Sequence, residues 1–176
     1  MSKLVNQLLQ LSRADRHKES LHLEEFDLSE LTEMVAEEVH GLAESKAVTL
    51  TAEIEPGILV KADQTLMMRI WLNLLTNAVK YGRQQGQIWL TLKSDGKNAV
   101  GTVRDDGIGI SAAELPKIWK RFYRVNTARS SGDDSGTGLG LAMVKWMVES
   151  HGGTVSAVST LGAGSTFSFT IPLRPS

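Results

Sequence analysis

The order of elements in this 176-residue chain predicts an α/β fold, a two-layer sandwich with a mixed, largely antiparallel sheet packed against helices. Three observations predict it. The elements run helix, strand, long helix, two strands, loop, helix, two strands. Several consecutive strands have no helical crossover between them, which a doubly wound parallel sheet would need. The long helix carries one apolar stripe, Leu66, Ile70, Leu74 and Ala78, so it has one face to bury.

Taken in order, Met1 to Ala14 places Leu4, Leu8 and Leu11 on one side with Val5 and Leu9 beside them. That is a helix tail, too short to be stable alone, and it reads as the end of a longer helical element. Residues 15–26 are polar and read as a linker before a globular domain over 27–176. Asp27 followed by Glu30 resembles a capping box, and Leu31, Val35, Val39 and Leu42 continue a helix to about Ser45. Val48 to Ile54 alternates as a half-buried strand, Pro56 and Gly57 turn the chain, and Leu59 to Ala62 adds a short strand. Asp63 is a good N-cap and Gly82 a good stop for the central helix between them. Gln87 to Lys93 and Ala99 to Arg104 form two strands joined by a turn at Asp95 and Gly96. Leu115 to Phe122 reads as a short helix, and Asn126 to Gly136, with almost no apolar content, as a mobile loop. A glycine-rich start at Gly136 opens a helix ending near His151. Thr154 to Thr160 and Ser165 to Pro172 finish as strands around a turn at Leu161 to Gly164.

Composition narrows the chemistry. With 19 basic and 20 acidic residues, no overall charge draws the chain to nucleic acid or an anionic membrane. The lack of cysteine excludes disulfides, thiol catalysis and cysteine-ligated metal. No apolar run approaches bilayer length, and the first residues lack a signal-peptide pattern.

Three segments carry chemistry. Arg69, Asn73, Asn77, Lys80 and Tyr81 line one side of the central helix. Two asparagines among leucines would be costly if buried unpaired. The stripe fits either a solvated face or a site for a metal nucleotide, since an amide oxygen can ligate magnesium and a lysine can neutralise phosphate. Asp105 ends a strand and leads into Gly107 and Gly109; its carboxylate suits an Asx turn, and equally an exocyclic amine such as that of adenine. Gly136, Gly138 and Gly140 open a helix, where free N–H groups and the helix dipole favour an anion, although such starts also serve packing alone. No Gly-Lys-Ser/Thr follows, so this is not a Walker A loop.

In order and spacing, these segments resemble the N, G1, F and G2 boxes of sensor histidine kinases: Asn73, Asn77, Lys80 and Tyr81; Asp105, Gly107 and Gly109; Phe122 and Arg124; Gly136, Gly138, Gly140 and Leu141. The resemblance covers about residues 27–173 and is to the catalytic ATP-binding domain, with Met1 to Arg13 similar to the end of the second dimerisation helix. It implies the Bergerat fold, binding Mg-ATP beneath a mobile lid. It assigns Asn77 to magnesium, and Asn73, Lys80 and Tyr81 to the phosphate and ribose side. It gives Asp105 the adenine amine, with Thr166 as a water-linked partner, and makes Gly107, Gly109 and Ile110 the adenine pocket. Phe122 anchors the lid. Gly136, Thr137, Gly138, Leu139, Gly140 and Leu141 meet the nucleotide, the last four offering backbone to phosphate. Asn73, Lys80 and Arg124 form the catalytic set, Arg124 assisting at the γ-phosphate. Lys120 departs from the pattern, standing where many relatives carry an acid.

The resemblance further implies transfer of the γ-phosphate to a histidine on a dimerisation helix, a response regulator downstream, and a homodimeric parent anchored in a bacterial inner membrane with this domain in the cytoplasm. Gyrase, mismatch-repair, heat-shock and anti-sigma relatives of the fold carry a glutamate general base where Asn73 stands, and an amide cannot remove a proton. A degenerate nucleotide-binding interaction module is the non-enzymatic alternative. None of His17, His22, His40 and His151 precedes an acidic residue, as the phosphoacceptor does in these kinases, so the acceptor is expected on a helix outside this chain. His151 lies at a helix end before Gly152 and Gly153, where a cation suits the dipole and no catalytic role is needed.

Overall fold

The computed structural model describes residues 21–120, 123 and 140–173. The expected helix tail over Met1 to Ala14, the first part of the linker with His17, and the loop from Asn126 to Gly136 lie outside the described residues.

Eleven elements follow one another among the described residues. They are β1 (Glu24–Asp27), α1 (Leu28–Ser45), β2 (Thr49–Ile54), β3 (Leu59–Ala62), α2 (Gln64–Tyr81), β4 (Gln87–Ser94), β5 (Asn98–Asp105), a 3₁₀ turn (Leu115–Lys117), α3 (Gly140–Ser150), β6 (Val155–Thr160) and β7 (Gly164–Pro172). The main sheet has the order β2-β4-β5-β7-β6. Only β2 and β4 pair in parallel, and α2 lies in the connection between them, as a parallel crossover requires. The other pairs are antiparallel, so the sheet is mixed and largely antiparallel as expected.

Alternation decides which face of the sheet is covered. Ile88, Leu90 and Leu92 of β4, Ala99 and Val103 of β5, and Phe167, Phe169 and Ile171 of β7 are all buried. They meet the apolar stripe of α2, where Leu66, Ile70, Leu74 and Ala78 are buried together with Trp71. The Trp71 and Phe169 rings stand edge to face, with centroids 4.9 Å apart. Asp63 caps α2 by accepting from the Leu66 amide at 3.1 Å, an N-cap contact contributing about 1 kcal/mol. Asp27 caps α1 in the same way through the Glu30 amide.

Two expectations are corrected. Glu24 to Phe26, assigned to the linker, form with Asp27 a strand that pairs antiparallel with β3, Glu24 opposite Ala62 and Asp27 opposite Leu59. Its glutamates have little intrinsic strand preference, and the buried Val60 and Ala62 of β3 supply the partner that does. The short helix expected from Leu115 is only a 3₁₀ turn, and the chain continues in i→i+3 bonds, Ile118 to Leu115 and Lys120 to Lys117. That path buries Ile118 and sets Trp119 edge-on to Phe167, their centroids 6.1 Å apart.

A third difference concerns His151. Its Nε2 accepts from the Asp63 amide at 3.0 Å, and its Nδ1 bonds the Met147 carbonyl at 2.7 Å. A backbone amide can only donate, so Nε2 is its acceptor, and a carbonyl can only accept, so Nδ1 is the donor to Met147. The ring ties the end of α3 to the N-cap of α2, a tertiary role that its position at a helix end did not show.

Candidate functional site

On α2 the two stripes separate as the spacing requires. Asn73, Asn77 and Tyr81 are half-buried while Arg69 and Lys80 are exposed. The Lys80 ammonium lies over the Tyr81 ring, 5.3 Å from its centroid. The Asn73 amide points at the first turn of α3, with Nδ2 donating to the Gly140 carbonyl at 3.5 Å. The polar face of the central helix therefore fronts the N-terminus of α3, where the helix dipole and unpaired amides favour an anion. A Cβ at Gly140 would meet nothing within 4 Å among the described residues, so packing there does not call for glycine. Leu141 is half-buried against the core.

The second wall is the segment after β5. Asp105 is only 5% exposed at the strand end. Its Oδ1 accepts from the Gly107 amide at 2.9 Å, the Asx turn that its sequence context allows. Burial pushes its carboxyl above the usual range, and the backbone amides of Gly107 and Ser165 offset part of that rise. A buried carboxyl with a perturbed titration beside a glycine turn is the sort of group that recognises a ligand donor. Gly107 is forced: a Cβ there would stand 2.1 Å from the Tyr81 carbonyl oxygen. Gly109 is forced twice, by φ of +70° and by a Cβ position 2.1 Å from the Thr160 carbonyl oxygen. Ile110 follows, its amide donating to Ser159 Oγ at 2.7 Å.

Register separates Ser165 from Thr166. Asp105 pairs with Ser165, and Arg104 with Thr166. Side chains alternate along a strand, so Ser165 shares the buried face with Asp105, and Thr166 shares the opposite face with Arg104, which stacks on Trp89 at 4.8 Å. Thr166 is thus not brought to Asp105, and Ser165, which the sequence reading passed over, is. Its hydroxyl also bonds that of Ser159 at 2.8 Å. The missed signal is phase: Ser165 lies in step with Phe167, Phe169 and Ile171.

Phe122, Arg124, Gly136, Thr137, Gly138 and Leu139 lie outside the described residues. Tyr123 is described, and its hydroxyl donates to Glu114 Oε1 at 3.0 Å.

Comparison with known proteins identifies the family and the fold. A family model for histidine kinase-, DNA gyrase B- and HSP90-like ATPases matches residues 62–175. The chain belongs to this ATPase family. It is 38% identical over 173 residues to the sensor histidine kinase TmoS of Ectopseudomonas mendocina, covering 98% of this chain and 18% of that protein. Full-length ShkA, solved in complex with AMPPNP, superposes with a TM-score of 0.84 at 30% identity, over 98% of this chain and 36% of that one. The mycobacterial sensor histidine kinase MprB gives 0.76 at 29% identity, over 87% of this chain and all of that one. The sandwich is the Bergerat fold of histidine-kinase catalytic domains, an ATP-binding fold. The chain spans between 18% and 38% of the length of the three curated relatives it matches first. No helix among the described residues is long and apolar enough to cross a membrane.

Proposed function

We propose that this chain binds Mg-ATP and delivers its γ-phosphate to a histidine on the dimerisation helix of a parent sensor histidine kinase, from which a response regulator draws it. The observation that carries the reading is Asn73, an amide aimed at the first turn of α3 where a hydrolase of this fold needs a carboxylate base. An imidazole needs no such base, because its attacking lone pair is already free. The relatives are sensor kinases, which supports the same choice and a membrane-anchored, homodimeric parent.

Asp105 accepts the adenine amine, Ser165 supports it from the next strand, and Gly107, Gly109 and Ile110 form the floor for the base. Asn73, Lys80 and Tyr81 bind along ribose and phosphates. Gly140 and Leu141, with Gly136 to Leu139 before them, offer backbone amides to the phosphate oxygens. Phe122 anchors the lid and Arg124 acts at the γ-phosphate. Asn77, an amide on the half-buried polar face of α2, would serve as the protein ligand of a magnesium ion that arrives with the triphosphate. Magnesium held there would neutralise charge on the phosphates.

Calorimetric titration with ATP, with and without magnesium, tests this. The chain should bind ATP more tightly with magnesium, and Asn77→Ala should lose that increment while keeping its melting temperature. No binding, or a magnesium effect that survives Asn77→Ala, would refute the assignment.

A further inference from the structure

Three segments meet behind the base end of the site: the end of α2 with the turn after it, the glycine segment following β5, and the turn between β6 and β7. Two backbone bonds join them. The Ile108 amide donates to the Tyr81 carbonyl at 3.3 Å, and the Gly162 amide donates to the Ile108 carbonyl at 2.7 Å. The third link is a side chain, Arg83, whose Nη2 donates to the Gly162 carbonyl at 3.0 Å across 79 residues of sequence. Tyr81, Ile108, Gly162 and Arg83 thereby close a ring that returns to Tyr81 through the chain itself.

We propose that Arg83 is a positioning residue for the base half of the nucleotide, an inference that rests on the nucleotide-binding reading above. Apart from the turn's own Ala163-to-Thr160 bond at 2.9 Å, the tip of the β6–β7 turn is held by the two bonds at Gly162. Leu161, Gly162 and Ala163 are all exposed, Leu161 at 66%, so no apolar burial fixes the tip and its hydrogen bonds must. The turn in turn sets Asp105. A Cβ on Gly164 would lie 2.0 Å from the Asp105 carbonyl oxygen, so the two backbones are in close contact, and a shift of one is transmitted to the other. Gly109 touches Thr160 on the other side of the same turn. Arg83 is exposed, so its side-chain bond can be removed without opening a buried cavity. The ring contains none of Asn73, Asn77 or Gly140, and Tyr81 enters it only through its backbone carbonyl, so the ring bears first on the base end.

The test is calorimetric titration of the wild type, Arg83→Ala and Arg83→Lys with adenosine, ADP and ATP, each with and without magnesium. Loss of one charge-assisted surface bond predicts that Arg83→Ala weakens all three ligands by a common factor of roughly three to ten. The magnesium increment should stay as in wild type, and Arg83→Lys should recover part of the loss because it retains a donor. Hydrogen exchange at the Gly162 amide should quicken in Arg83→Ala. Unchanged affinity in Arg83→Ala beside a wild type that binds overturns this proposal alone. So does a loss confined to ATP with magnesium, which would put Arg83 at the phosphates. A wild type that binds none of the three overturns the nucleotide reading, and the proposal with it.

Discussion

Replacing Asp105 by Asn should move binding and stability in opposite directions. In the folded chain Oδ1 accepts from the Gly107 amide at 2.9 Å, and an asparagine oxygen can keep that bond. The other oxygen becomes an NH₂ group, which would face the adenine amine donor to donor. An unsatisfied polar contact of this kind costs about 1–3 kcal/mol, or roughly 5- to 150-fold in affinity for adenine nucleotides. Guanine presents a carbonyl at the same ring position, so GTP should lose less than ATP, and the ATP to GTP preference should fall. Stability follows the opposite sign. Burial raises the Asp105 carboxyl above the ordinary aspartate range, so the folded state holds the proton more tightly than the unfolded chain. Such a group favours folding at pH below 3.8 and loses that contribution as pH rises through its elevated folded value. The neutral amide has no such loss. The stability of Asp105→Asn relative to wild type should therefore increase from acid to neutral pH. Parallel ATP and GTP titrations and urea melts across that range measure both effects. Equal losses for ATP and GTP would refute the recognition argument. A stability difference that stays flat with pH would refute the burial argument.

Two further substitutions read the geometry directly. Ser165→Ala should weaken adenine nucleotides by about 1 kcal/mol, while Thr166→Ala on the far face should leave ATP titrations unchanged; the reverse result would mean that the β5–β7 register is wrong. His151→Ala deprives the part-buried Asp63 amide of its acceptor. It should cost about 1–3 kcal/mol in urea denaturation, and an unaltered midpoint would mean that the junction of α2 and α3 does not depend on the ring.

How much of this was legible in the sequence depended on how local the signal was. The central helix was read to its caps because its period, Asp63 and Gly82 all lie within one segment. The strands from Gln87 onward were legible because each alternates and each pair is joined by a short turn. β1 was not, because what makes Glu24–Asp27 a strand is its pairing with β3, beyond the whole of α1 and β2. The turn at Leu115–Lys117 was misread for a similar reason: the buried place taken by Ile118 and the packing of half-buried Trp119 against the core outweigh a local helical pattern. In the site, glycines and asparagines announced themselves by residue type. Arg83 did not, because its partner is a backbone carbonyl, and a carbonyl leaves no mark in a sequence.

Asp105 shows how two readings of one residue can both hold. The Asx turn and the adenine contact stood as competitors in the sequence, yet a carboxylate has two oxygens and each use needs one. Binding the Gly107 amide through Oδ1 fixes the carboxylate's rotation, and with it the direction in which the second oxygen points. A freely rotating carboxylate would lose entropy on meeting a ligand, and one already held by the turn loses much less. Gly107 is forced by the Tyr81 carbonyl, which lets the turn form hard against the end of α2. In the proposed function the turn is thus a condition for recognising the base, and its geometry leads back to the helix whose other residues are assigned to the phosphates.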